Sequence, residues 1–128
     1  MELVTIVVIL ALIQYTVFGA LVGQARGKYG VEAPAVHGDP IFERYYRVHQ
    51  NTLESLVLFL PSILLFAWYV HAETAAALGV VYLIGRIMYL RAYVKDPKSR
   101  GPGFGLTLLP AAILAIGALV GAVLSLLA

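Results

Sequence analysis

The sequence predicts an all-α integral membrane protein, a bundle of four transmembrane helices. Three observations carry this. The chain is 61% hydrophobic and only 12% charged; its mean hydropathy is +0.88; and its charge-free runs match the thickness of a bilayer. Soluble domains carry about 25% charged residues because their surface faces water, whereas a helix crosses the roughly 30 Å hydrocarbon layer in about 20 apolar residues. At 128 residues the whole chain, 1–128, is expected to form one four-helix transmembrane domain. With no cysteine, disulfides, thiolate metal sites and a cysteine nucleophile are excluded.

The first crossing runs from Leu3 to Gly23. Its acidic start and its length set it apart from a cleaved secretory signal, so it is expected to be retained. The second begins as a polar helix near Ile41 and turns apolar after Glu54, from Ser55 to Val70. Trp68 and Tyr69 close it where an interfacial aromatic belt lies. His71, Ala72 and Glu73 make a short turn, so helices two and three form an antiparallel hairpin. The third crossing runs from about Thr74 to Tyr93 with Arg86 inside it, and the fourth from about Phe104 to the terminus. Pro61 and Pro110 would argue against helix in water, but membrane helices tolerate them as kinks. Gly117, Ala118, Gly121 and Ala122 permit close helix contacts, within one subunit or between two. Gly27, Gly30, Pro34, Gly38 and Pro40 break up the first loop, and Asp96 to Gly103 makes the third loop a compact turn.

All nine basic residues fall on one side of this arrangement. Arg26, Lys28, Arg44 and Arg47 flank or enter the first loop; Arg86, Arg91, Lys95, Lys98 and Arg100 flank or enter the third. The other side offers Glu2, His71 and Glu73. The positive-inside rule then puts both basic loops in the cytoplasm and both termini on the non-cytoplasmic side, in the inner membrane if the source is bacterial. Topology accounts for the basic bias, and no nucleic-acid recognition motif accompanies it.

The polar residues at membrane depth are the informative ones. Arg47, Asn51 and Glu54 (i, i+4, i+7) share a face of helix two, and Arg86, Tyr89 and Tyr93 share a face of helix three. A charge at membrane depth costs roughly 2.5–3.5 kcal/mol or more unless paired, so these side chains face protein or a water-filled cavity. Two readings follow. Glu54 and Arg86 form an ion pair that fixes helix two against helix three, with the tyrosines and His49 as interfacial anchors. Alternatively the set lines a cavity whose arginines grip a ligand bearing carboxylates through paired hydrogen bonds. Arg91 lies off the tyrosine face and is expected to meet lipid headgroups.

Glu43-Arg44-x-x-Arg47-x-His49-x-Asn51-x-x-Glu54 resembles the signature of the MAPEG family, the membrane-associated proteins of eicosanoid and glutathione metabolism. Arg47 to Glu54 is most similar to the family's microsomal glutathione transferases, and the resemblance covers nearly the whole chain. It implies a homotrimer that binds glutathione between adjacent subunits near the cytoplasmic side, with no metal. By the same resemblance, Arg47, Asn51 and Glu54 hold glutathione, Arg86, Tyr89 and Tyr93 complete the pocket, and Arg26 and His49 fall at further ligand positions. Arg100 keeps the spacing from Tyr93 at which the family's synthases place a thiol-activating arginine. The chain departs from the pattern at Ser55, where an aromatic residue is common, and at Pro61, which follows the glutamate by more than the usual three residues.

The implied activity is a glutathione-dependent transferase, or a peroxidase using the same thiolate. A thiol of pKa about 8.5 is mostly protonated at neutral pH, and the thiolate is the nucleophile. A neighbouring guanidinium favours the charged form; Arg100 is assigned that role, with Tyr93 as a second donor. A lipophilic electrophile would arrive from the membrane lipid. Two other functions compete. One is a non-catalytic lipid-binding or scaffolding member of the family. The other, a small proton-coupled multidrug exporter, would rely on an acidic residue inside helix one, and Leu3 to Gly23 contains none.

Overall fold

The computed structural model describes residues 1–128. Four long helices make up the chain: α1 (Glu2–Tyr29), α2 (Pro40–Tyr69), α3 (Ala72–Lys95) and α4 (Gly101–Leu127). A 3-10 turn, Pro97–Ser99, joins α3 to α4. The four expected crossings are present, and each lies in a helix long and apolar enough to span a membrane.

The helices extend beyond their apolar runs. α1 continues through Arg26 and Lys28, because arginine and lysine end a hydrocarbon stretch without ending a helix. It stops at Gly30, whose φ of 70° is the left-handed conformation that glycine adopts freely. α2 is one continuous helix through Pro61. The Asp39 side chain caps it, accepting from the N–H groups of Ile41 and Phe42 at 2.9 Å each, with Pro40 in the first helical turn. The hairpin turn is shorter than the expected His71–Glu73: α3 starts at Ala72, and the His71 ring accepts from the Thr74 N–H at 3.1 Å. α4 starts at Gly101 instead of Phe104, with Pro102 in its first turn where a missing N–H costs nothing.

α1 and α4 flank the α2–α3 pair from opposite sides, each packing on both. Val4, Phe59, Ile63, Tyr82 and Leu114 are fully buried in the shared core, where the Phe59 and Tyr82 rings stack with centroids 3.8 Å apart. The outward faces keep Ile116, Leu119 and Leu124 exposed, as a lipid-facing surface requires. The basic ends of the helices meet at one end of the bundle. There the Arg26 guanidinium lies over the Phe42 ring, and Arg44 Nη1 donates to the Val94 carbonyl at 2.9 Å.

Close helix approach depends on small residues. A methyl group at Gly85 would stand 2.7 Å from the Leu106 carbonyl carbon, and one at Gly103 would stand 2.5 Å from the Tyr89 nitrogen. These two glycines let the α3 and α4 backbones touch. The small residues later in α4 serve the same chain: Gly117 packs under Phe66, and Gly121 under Tyr69 and Val70.

Gly85→Val is expected to lower stability by about 1–3 kcal/mol through overpacking, read as a lower thermal midpoint by circular dichroism in detergent. Gly23→Ala, with nothing within 4 Å of the added carbon, is expected to leave the midpoint unchanged or raise it slightly. Equal losses in the two variants would refute the close-contact account.

Candidate functional site

Arg86 is the largest fully buried side chain in the protein. Helical rise places it about 14 Å in from Lys95 at the end of α3. Nη1 and Nη2 both donate to Asn51 Oδ1 at 2.9 Å, and Nη1 makes a longer bond of 3.4 Å to Thr107 Oγ1. The guanidinium carbon stands 4.4 Å from the centroid of the Tyr89 ring, close enough for a cation–π interaction. Nε has no partner. The chain's ion pairs are Met1–Glu2 and His37–Glu43, both exposed.

The ion pair between Glu54 and Arg86 that the sequence allowed is therefore not formed. Asn51 takes the guanidinium, and Glu54 is exposed one turn further along α2. A carboxamide oxygen orients a guanidinium without neutralising it, so the cation keeps its charge in a dry setting. Helices α2, α3 and α4 each contribute one group to it. Thr107 is fixed in turn by donating to the Gly103 carbonyl at 2.9 Å.

Over Asn51 and Thr107, the two side chains that hold Arg86, a groove opens between α2 and α4, with a volume of about 280 Å³. Asn51, Glu54, Ser55 and Leu58 form one wall; Phe104, Thr107, Leu108 and Ala111 form the other. Each wall repeats as i, i+3, i+4, i+7, the spacing of a single helix face. Polar groups gather toward the basic end, and Leu58, Leu108 and Ala111 continue the groove toward the middle of the bundle. One end can therefore hold an anion and the other an apolar body.

The remaining candidates are dispersed. Tyr89 and Tyr93 do share the face of Arg86, stacked with centroids 5.5 Å apart. Arg47 is exposed and lines a separate hollow with His37, Glu43 and Gln50. His49 stacks on Tyr15 of α1, centroids 4.4 Å apart, and is packed beneath Gly19. Arg26 donates to the Ala35 carbonyl at 2.6 Å, tying the first loop to α1. Arg100 is exposed at the start of α4, its Nη1 on the Pro97 carbonyl at 2.8 Å. Within one chain, Asn51, Glu54, Arg86, Tyr89 and Tyr93 come together, Arg100 lies close enough for its charge to act on Tyr89, and Arg26, Arg47 and His49 make their contacts elsewhere.

Three residues contribute in ways the sequence did not indicate, and Thr107 was not singled out there at all. Thr107 holds Arg86 from α4; its signal was a hydroxyl within an apolar run. Ser55 Oγ lies 2.7 Å from the Tyr82 hydroxyl, a bond that joins α2 to α3 one turn from Arg86. Arg44 caps the end of α3 through the Val94 and Lys95 carbonyls.

The model of the MAPEG family matches residues 4–120. The chain is 48% identical over 110 residues to an uncharacterised protein of Synechocystis sp., covering 86% of this chain and 80% of that one. It is 41% identical over 120 residues to microsomal glutathione S-transferase 2 of Homo sapiens, covering 94% and 80%. To leukotriene C4 synthase of Bos taurus it is 34% identical over 94 residues, covering 73% of this chain and 63% of that enzyme.

Asn51→Leu is expected to destabilise the protein by about 1.5–3 kcal/mol, since it removes hydrogen bonds to a buried cation. Arg86→Met combined with Asn51→Leu is expected to recover most of that loss, because no charge is then left without partners. Denaturant unfolding of the two single variants and the double variant in detergent gives the coupling; additive losses would contradict the contact.

Proposed function

The chain belongs to the MAPEG family, and from that premise we propose that it is a glutathione-dependent membrane transferase acting on lipophilic electrophiles. The observation that supports this most is Arg86: a buried guanidinium with no ion-pair partner, one unpartnered nitrogen, and a groove lined by the Asn51 and Thr107 side chains that hold it. Such a cation is suited to a ligand that brings its own carboxylate. Glutathione carries two carboxylates, one ammonium and a thiol. In this reading Arg86, with Arg47, takes the carboxylates, and Glu54 at the exposed rim takes the ammonium.

The dispersal of the other candidates supports a site shared between subunits. Asn51 and His49 are two positions apart on α2, about 200° around the helix, so they point to nearly opposite faces. A head-to-tail ring uses two different faces of every subunit. Arg47, Asn51 and Glu54 would then serve one glutathione, and Arg26 and His49 the next. We therefore propose a homotrimer with its basic loops in the cytoplasm, glutathione entering from that side and the electrophile from the bilayer.

Arg100 stands one turn before Phe104, which lines the groove, so its long side chain can reach the groove's mouth by leaving the Pro97 carbonyl. Placed beside the sulfur, its charge holds the thiolate and releases the thiol proton to water. On an activated aromatic halide, sulfur forms the new bond to carbon and halide leaves with the electron pair. On a lipid hydroperoxide, the thiolate attacks the terminal oxygen, the O–O bond breaks and the alkoxide leaves and takes a proton to become the alcohol; the glutathione sulfenic acid then condenses with a second glutathione thiol to give the disulfide and water. Tyr93 is placed as a second donor to the sulfur.

Purified protein in detergent is expected to conjugate glutathione to an activated aromatic halide. Arg100→Ala is expected to lower kcat by roughly a hundredfold, the size of one lost electrostatic stabiliser, while calorimetry still registers glutathione binding. Binding without the ultraviolet absorbance of a thiolate would favour the non-catalytic reading. Neither binding nor turnover in the wild type would overturn the proposal.

A further inference from the structure

On the side of the bundle opposite the α2–α4 groove, α1 and α3 enclose a second one. Its deep part, about 330 Å³, lies between Leu10, Ile13 and Val17 of α1 and Leu83 and Ile87 of α3. One helical turn nearer the basic end lie two further hollows that share Leu21 and Tyr45, one of about 280 Å³ between α1, α2 and α3 and one of about 360 Å³ between α1 and α2. On α1 the lining positions 10, 13, 17, 21, 24 and 28 form one unbroken stripe, ending at Lys28. On α3 positions 83, 87, 91 and 95 do the same, ending at Arg91 and Lys95. At its deep end Gln14 Nε2 donates to the Leu83 carbonyl at 3.0 Å, fastening the two helices together.

We propose that this seam is a binding site for an anionic diacyl phospholipid, with the headgroup phosphate between Lys28, Arg91 and Lys95 and one acyl chain along the apolar stripe. Charge complementarity is the first argument. These three cations line the upper hollows, no acid lines any part of the groove, and none of the three has an ion-pair partner in the chain. Arginine grips a phosphodiester through two parallel hydrogen bonds, and the Tyr45 and Tyr29 side chains flank the same space. Length is the second argument. From Leu10 to Leu21 the helical rise is about 16 Å, close to one leaflet's share of a roughly 30 Å hydrocarbon core. A groove with cations at headgroup level and an apolar floor one leaflet deep matches one lipid molecule in both polarity and size.

Topology alone explains basic residues at this end of the bundle, and lysines in the last turns of α1 and α3 favour the helix dipoles. Neither explains why three cations line two neighbouring hollows that share an apolar wall at Leu21. Lys98 and Arg100, at the same end, lie outside it. Basic hollows between helices on the cytoplasmic face are the usual seat of anionic lipid headgroups. The site is independent of the transferase reading. In the ring proposed above, the α2–α4 face and the His49 face of α2 meet neighbouring subunits, and the α1–α3 seam that carries Arg91 and Lys95 is left toward lipid.

Native mass spectrometry of the full chain in a mild detergent, titrated with phosphatidylglycerol or phosphatidylcholine of identical acyl chains, tests the site. Phosphatidylglycerol is expected to bind more tightly. Arg91→Gln is expected to weaken it about fivefold, the usual weight of one juxtamembrane cation, and Lys28→Gln/Arg91→Gln/Lys95→Gln to erase the preference. Lys98→Gln is expected to change nothing, and Leu21→Trp, which fills the seam without altering charge, to weaken both lipids. The proposal fails if Lys98→Gln weakens phosphatidylglycerol binding as much as Arg91→Gln. It also fails if glycerol phosphate binds as tightly as the lipid, which would make the hollow a soluble-phosphate site. A changed oligomeric mass in the triple variant would make the seam a contact between copies and would overturn it equally.

Discussion

A guanidinium held in a dry helical bundle without a counter-ion is the constraint on which the rest of this structure turns. Taking an ion out of water costs several kcal/mol even after relaxation. Arg86 recovers part of that through two short bonds to one amide oxygen, a longer bond to a hydroxyl, and the face of Tyr89. Bonds to a charged group contribute about 1.5–3 kcal/mol each, and a desolvated cation–π contact about 2. These contacts offset the desolvation without supplying an opposite charge. Stability is thus reached with the charge intact, and the electrostatic gain of an incoming anion stays available.

The choice of Asn51 over Glu54 as partner follows from this. A carboxylate in contact with Arg86 would have satisfied the arginine and cancelled its field. An amide satisfies the geometry alone. Glu54, one turn away on the same stripe, is exposed at the groove, where a negative charge is well solvated and can meet an ammonium. Two acceptors on one helix face therefore divide into an interior neutral one and a rim charged one. A zwitterionic ligand bearing both kinds of group fits that division.

The four helices and their order were legible because bilayer-length apolar runs have few alternatives and glycine and proline punctuate them. Helix ends were less so: α1 runs to Tyr29 and α4 begins at Gly101, since hydropathy marks where lipid ends and backbone bonding continues past it. The stripes carrying Asn51, Glu54, Arg86, Tyr89 and Tyr93 were legible from periodicity. Periodicity assigns a residue to a face but does not say which neighbour that face meets. Hence the ion pair of Glu54 with Arg86 looked as natural as the Asn51 contact, and Thr107 went unnoticed in a run of leucines. Nor does spacing separate a residue that closes its own subunit, as Arg44 does through the carbonyls at the end of α3, from one whose charge is left free.

That last distinction orders the nine basic residues better than topology does. One rule of orientation gathers them at one end, yet the fold gives them physically different settings. Arg86 is desolvated and fixed by neutral oxygens. Arg44 is a brace, donating to the Val94 and Lys95 carbonyls, while Arg26 gives one nitrogen to the Ala35 carbonyl and keeps the rest of its guanidinium available. Lys28, Arg91 and Lys95 stay solvated, unpaired and grouped over an apolar seam, where their combined field acts at the level of lipid phosphate. Because the bilayer screens poorly below the headgroups and salt screens well above them, the buried arginine and the surface trio are tuned by different surroundings. The first responds to what enters the α2–α4 groove, the second to the composition of the leaflet. A single basic bias in the sequence can in this way support two independent recognition events on opposite sides of one small bundle.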